Sequence, residues 1–269
     1  MKVLTIYAHH NPRSFCHALL EHFDAGLREG GHANEIVDLH AIGFDPVLRD
    51  RDAPNWIDDS VPDDVLRHMN LPESLFQAAR GPLQHLVLKR WIGNLDARGI
   101  VRKMRARGGP RDVAIQQQKV AAADALAFVA PLYFVGLPAI MKGWIERVFT
   151  LGFAFNLAPE AWRGDIEGRR PLLRHHKALL LTPTLFDEAS YAFGLRDAIG
   201  RLVDDFALHM PGIQQVQHEY FYAVHGADVR TRLNYLHRAQ SLGRHFADSI
   251  EAHAAHLPAL LAADRGEGA

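Results

Sequence analysis

The chain has 269 residues and 30.1 kDa, with 48% hydrophobic, 23% charged and 9% aromatic content, enough apolar material for one large core. Lys and Arg total 30 against 31 Asp and Glu, so a formal net charge of −1 leaves no global positive field to hold nucleic acid or an anionic membrane. A single cysteine, Cys16, excludes an intramolecular disulfide framework and a zinc site built on several thiolates.

Val3 to Ala8 is a short, β-branched, almost wholly apolar run that suits a strand covered on both faces. It meets His9 and His10 too early for a signal peptide, and no later apolar run reaches the ~18 residues of a membrane span, so the expected location is the cytoplasm. A polar loop, His9 to Arg13, leads to a predicted helix from Ser14 to Arg28, with Phe15, Leu19, Phe23 and Leu27 on one stripe, Ser14 as N-cap and Gly30-Gly31 as the stop. Asn34 to Leu39 reads as a second strand, which makes a right-handed parallel crossover.

From about 45 to 111 the rhythm breaks. Six prolines and two short amphipathic pieces, Asp63–Met69 and Pro82–Leu95, predict a partly helical insertion across the sheet edge, too long for a plain loop. The alternation resumes with a helix at Asp112–Ala123, a buried strand at Ala125–Ala130, a loop and a helix opening at Pro138, a strand at Ala178–Leu181, a helix at Tyr191–Leu208, a strand at Val216–Val224 and a closing helix from Ala227 to about His253. Five strands alternating with helices give the α/β class, a doubly wound five-stranded parallel sheet with an insertion after the second strand. One domain over 1–260 with a frayed tail at 261–269 is expected.

Ligands of such sheets sit beyond the carboxyl ends of the strands, where the strand order switches. No G-x-G-x-x-G and no Walker A loop stands between Ala8 and Ala18, so the acid at Asp38 is only a weak sign of ribose binding. The Ser14 hydroxyl and the first amides of the helix either make an anion site suited to phosphate or serve only as a cap. After the third strand, Pro131-Leu132-Tyr133-Phe134-Val135-Gly136-Leu137-Pro138 is apolar, aromatic and stiffened by proline, as a planar heteroaromatic ring requires.

Ala8-His9, Asn11-Pro12 and Ser14-Phe15, together with Pro131-Leu132-Tyr133-Phe134, Gly136, Pro138-Ala139, Lys142-Gly143-Trp144 and Glu146-Arg147-Val148-Phe149, resemble the NAD(P)H:quinone oxidoreductase family, from Met1 to about Phe246. That resemblance implies a flavodoxin-like fold, a tightly bound FAD (alternatively FMN), and NADH or NADPH as hydride donor to a quinone or similar two-electron acceptor. It implies that His9, Ser14, Phe15 and Cys16 line the flavin phosphate and ribityl site. Pro131, Leu132, Tyr133, Phe134 and Val135 would embrace the isoalloxazine, with Thr182, Pro183, Thr184, Leu185 and Phe186 at its other edge. Cys16 stands where relatives often have Asn, and Thr184-Leu185-Phe186 replaces their Thr-Gly-Gly turn. Tyr191 matches a family tyrosine, but its partner histidine falls at Asp197 and the two pocket tyrosines fall at Phe155 and Leu157, so a Tyr–His relay is not inherited. Tyr133 as hydrogen-bond donor and Tyr191 as pocket wall are the expected catalytic side chains. The family is typically dimeric, so a homodimer in which a second subunit completes each pocket is expected. The rival readings are an FMN-dependent azo- or nitroreductase and a regulatory flavin-binding subunit docked on a potassium-efflux transporter.

Other candidates carry less. Lys142 and Arg147 could attract a nicotinamide phosphate, but Lys142 with Glu146 at i, i+4 reads as a surface pair. Trp144 and Phe149 read as packing residues. His175-His176 and His9-His10 are adjacent pairs, a poor geometry for chelation, and no metal is expected. Asp187 and Glu188 near Tyr191 either donate a proton or cap the helix that follows.

Overall fold

Val3, Leu4, Ile6 and Tyr7 are all buried in β1 (Lys2–Tyr7), the two-sided cover that a continuous apolar run implies. The structure, a computed structural model, describes residues 1–248; the end of the predicted closing helix and the tail at 261–269 lie outside the described residues. In chain order β1 is followed by α1 (Phe15–Glu29) and β2 (Ala33–Asp38). The insertion holds a 3₁₀ turn at Asp50–Asn55, then α2 (Asp63–Met69), α3 (Leu71–Ala78), α4 (Pro82–Ile92) and α5 (Ala97–Arg107). Next come α6 (Arg111–Ala122), β3 (Ala125–Val129), α7 (Ala139–Val148), and a small antiparallel hairpin of β4 (Phe155–Leu157) and β5 (Arg169–Pro171). The chain continues with β6 (Lys177–Pro183), α8 (Glu188–Tyr191), α9 (Leu195–Ile199), a π-type helix at Gly200–His209, β7 (Gln215–Phe221) and α10 (Val229–Arg244).

The five strands β2-β1-β3-β6-β7 pair in parallel in that order, so the sheet is doubly wound. The chain crosses from β2 back over β1 to β3, and the loops after β1 and β3 diverge to leave a crevice. Helices α1 and α10 cover one face, over Leu19, Phe23, Leu27, Leu179 and Phe221. They approach closely because Gly26 has no side chain: a Cβ there would fall 1.9 Å from the Gln240 carbonyl oxygen. Trp144 and Val148 of α7, Val120 of α6 and Val203 and Leu208 of the π-type helix cover the other face. No helix of the described residues is long and apolar enough to cross a membrane.

The structure departs from the sequence expectations in three places. The insertion contains α3 and α5 besides the two predicted pieces; α3 begins straight after α2 at the left-handed Asn70 (φ 42°), and α5 is so basic that only Ile100 and Val101 are buried on it. The predicted helix at 191–208 is broken, because Gly194 (φ 90°) turns the chain between α8 and α9 and the π-type helix follows. The β4–β5 hairpin, which also holds Phe155 and Leu157, is an addition.

The insertion has its own small core of Ile57, Val61, Leu66, Leu71, Ile92, Ile100 and Val101. It is anchored on α7 and beside the hairpin. Arg147 of α7 is fully buried and donates to Asp52 Oδ1 (3.0 Å), Asp112 Oδ2 (2.7 Å) and the Asp45 carbonyl (2.6 Å). Trp162 Nε1 donates to Ser60 Oγ (3.0 Å), and Arg163 pairs with Asp64 (2.9 Å). Where the insertion begins it presses on Gly143, where a Cβ would meet the Pro46 oxygen at 2.2 Å.

Candidate functional site

The loop between β1 and α1 is shaped by its own polar side chains. The Asn11 N–H donates to His9 Nδ1 (3.0 Å), and Asn11 Oδ1 accepts from Arg13 N–H (2.9 Å), an Asx-type turn that starts the helix. Ser14 is the N-cap, its Oγ accepting from the His17 N–H (3.1 Å). The N–H groups of Phe15 and Cys16 have no partner among the described residues, so the positive end of α1 stays open.

The loop after β3 folds into a tight turn. Tyr133 N–H donates to the Gly136 carbonyl (2.9 Å) and Gly136 N–H to the Tyr133 carbonyl (3.3 Å). Both central residues are left-handed, Phe134 at φ 45° and Val135 at φ 60°, a geometry usually left to Asn and Gly. The strain therefore falls on an aromatic and a β-branched residue, and such strain concentrates where a ligand is clamped.

Between these loops lies a cleft of about 750 Å³. Of the site residues expected from the sequence, His9, Ser14, Phe15, Cys16, Pro131, Leu132, Tyr133, Phe134, Pro183, Thr184 and Leu185 line it. Four predicted site residues do not. Val135 lies at the exposed tip of the turn, and Phe186 is exposed beyond Leu185. Thr182 is still inside β6 opposite Tyr220, its hydroxyl 2.8 Å from His218 Nε2. Tyr191 is packed in the core against Tyr220 and Tyr222, with Thr184 between it and the cleft. The sequence reading missed Val224, His225 and Arg232, which close the cleft from the β7–α10 side; the carboxyl-end rule applied to the last strand leads to them.

The cleft lining combines two kinds of chemistry. His9, His10, His225 and Arg232 line it together with Ser14 at the open α1 N-terminus, and among the described residues no carboxylate does. His9 and His10 stack at 4.8 Å, and burial followed by the neighbouring His10 lowers the pKa of His9. Pro131, Leu132, Phe134, Pro183 and Leu185 supply apolar wall. Tyr133, 45% exposed, has its pKa raised first by burial and then by Cys16, and burial also pushes up the Cys16 thiol, so both keep their protons. A ligand that joins an anionic tail to a flat apolar ring is what this combined lining complements.

The remaining candidates lie elsewhere. Arg147 is sealed under the insertion and unavailable to a nicotinamide phosphate, while Lys142 pairs with Glu146 on the surface. Trp144 is buried and donates to Gln116 Oε1 (3.2 Å). Asp187 caps α8, accepting from the Ser190 N–H (2.9 Å). His175 is buried with Nε2 donating to the Val120 carbonyl (2.9 Å), while His176 is exposed; among the described residues no three ligating side chains converge on a metal-sized site. A second cleft of about 770 Å³ opens inside the insertion between Leu75, Leu83, Val87 and Trp91, but it lies away from the strand ends and Arg51 at its rim is already paired with Asp45 (2.9 Å).

A family model described as a flavodoxin-like fold matches residues 1–242, and the chain belongs to that family. More particularly, it is similar to NAD(P)H dehydrogenase (quinone) 1 of Cavia porcellus, 29% identical over 86% of this chain and 73% of the relative. It is 30% identical to ribosyldihydronicotinamide dehydrogenase (quinone) of Homo sapiens over 64% of this chain and 61% of that protein. Among solved structures, the NAD(P)H:quinone oxidoreductase from Methanothermobacter marburgensis superposes with a TM-score of 0.64 at 24% identity, covering 91% of this chain and 98% of that one, which shows the shared fold.

Proposed function

We propose that the chain is a flavin-dependent oxidoreductase that passes hydride from NADH or NADPH to a quinone or similar two-electron acceptor. The observation that carries this reading is the cleft at the strand-order switch, lined by an open helix N-terminus, basic side chains and an apolar loop and by no carboxylate of the described residues, in a chain whose relatives are named as quinone-reducing dehydrogenases. When bound, a flavin supplies the hydride chemistry; the protein binds, orients and shields.

The residues fit such a group. The Ser14 hydroxyl and the N–H groups of Phe15 and Cys16 hold a phosphate at the α1 N-terminus. Pro131, Leu132, Tyr133 and Phe134 offer a rigid apolar wall for a planar ring, and Thr184 and Leu185 bound the opposite side. Arg232 adds a cation to the cleft lining from α10, which favours FAD over FMN, since a second phosphate needs further cationic contact. Tyr133 holds a proton on its hydroxyl as a donor in the cleft lining, and Tyr191 backs the wall from behind Thr184. Phe134 and Leu185 in the cleft lining and Phe186 next to Leu185 leave apolar surface exposed, which supports a homodimer whose second copy completes the site.

The test is the absorbance spectrum of the purified protein, the mass of any released cofactor, and NAD(P)H-dependent reduction of quinones beside azo dyes and nitroaromatics. Bound FAD and fast quinone turnover are expected. A colourless protein that neither binds added flavin nor oxidises NAD(P)H would refute the reading. Tyr133→Ala should lower turnover and leave the melting temperature unchanged, and sedimentation should give twice the chain mass.

A further inference from the structure

Under the first turn of α1 stands a buried hydroxyl without a hydrogen-bond partner among the described residues. Tyr7 closes β1, is 1% exposed, and its hydroxyl has no hydrogen-bond partner among the described residues. Its ring meets the His17 imidazole edge-on at 5.6 Å, which places it under the first turn of α1. The same His17 donates its N–H to Ser14 Oγ (3.1 Å), so Tyr7 and Ser14 flank one residue of that turn; burial raises the Tyr7 pKa far above that of a free phenol, and the Ser14 hydroxyl pulls it back. Leaving a phenolic O–H unpaired in a core is costly, and phenylalanine would fill the same space without that cost.

Ser14 Oγ accepts from the His17 N–H, and its own proton has no acceptor among the described residues. A serine hydroxyl can accept twice and donate once, so it has room for one more donor and one acceptor. We propose that Tyr7 is a positioning residue for anion binding: its O–H, unpaired in the free protein, turns to donate to Ser14 Oγ when the Ser14 O–H donates to a phosphate ester bound over Phe15 and Cys16. Such a chain polarises along its length and strengthens the terminal bond to the anion. Cys16, neutral and a weak donor, does not compete for this role. The inference rests on the flavin reading only in supplying a phosphate ester to that site.

Binding of FMN and of riboflavin, which lacks the phosphate, is measured by flavin fluorescence on the full chain freed of any bound cofactor. Tyr7→Phe should weaken FMN about three- to ten-fold and leave riboflavin unchanged, the effect of one hydrogen bond in a chain ending on a charge. Combined with Ser14→Ala, it should add nothing to the loss from Ser14→Ala alone. Unchanged FMN affinity, equal weakening of both flavins, or additive losses in the double variant would each overturn the proposal. If the wild-type chain binds neither flavin, the functional reading falls, and inorganic phosphate decides the Tyr7 proposal separately. Phosphate should raise the wild-type melting temperature and raise that of Tyr7→Phe less; equal shifts, or none, would overturn it.

Discussion

Every residue of β3 and β6 is buried, whereas in α4 of the insertion only Ile92 is, and Leu83, Leu86 and Val87 face outward. The sheet is held by two broad apolar layers, one on each face. The insertion relies on a seven-residue cluster and on ionic clips: Arg147 with Asp52, Arg98 with Asp63, Arg102 with Asp59 and Arg163 with Asp64. Apolar burial scales with area and tolerates variation, while exposed ion pairs contribute little each. The insertion should therefore open at a lower free energy than the sheet, as an element beside a ligand site can do.

The strongest way to break this contrast is Arg147→Met. Arg147 and Asp52 are 0% and 1% exposed, so the variant leaves a carboxylate buried without its partner, a loss of about 3–5 kcal/mol in denaturant unfolding. Adding Asp52→Leu should recover most of that loss; if it does not, the pair is more than a clip. A second pair of variants sharpens the contrast in place. Leu126→Ala in β3 and Ile100→Ala in α5 remove equally buried side chains and should each cost about 2–5 kcal/mol where they act. Hydrogen exchange should show the first lowering protection throughout the sheet and the second only between residues 57 and 101.

Smaller effects follow. Val135→Gly relieves a left-handed β-branched residue and should stabilise by about 1 kcal/mol, read as a higher melting temperature. Acid should destabilise both regions but in different windows. His175, buried beside the sheet, has its pKa lowered by burial from 6.5, so the unfolded chain takes up its proton first and stability falls as the pH drops below 6.5. In the insertion Asp63 and Asp64 are held below 3.8 by Arg98 and Arg163, and Asp45 at about 2 by Arg49, so their contribution persists above 3.8 and is lost only below it. Proteolysis confined to the insertion should rise only in that lower window, and His175→Phe should flatten the upper one alone.

The local physics of individual segments was legible in advance. Val3–Ala8, Ala125–Ala130 and Ala178–Leu181 became buried strands because short unbroken apolar runs have no amphipathic alternative, and Ser14 became the cap of α1 because its hydroxyl suits the first turn. Eleven of the predicted site residues meet in one cleft because strand-end loops of a parallel sheet must converge. Tertiary contacts alone decided the rest. Arg147 reads as a helix-surface cation until a segment about a hundred residues earlier supplies Asp52; α5 reads as too basic to pack until its two apolar residues meet the insertion core. The strain at Phe134 and Val135, the retreat of Thr182 and Tyr191 from the cleft, and the arrival of Arg232 from the last crossover all depend on where distant backbone lies. Periodicity and capping report energies between near neighbours in sequence, whereas burial of a charge or the facing of a hydroxyl is fixed only when remote segments exclude water around it.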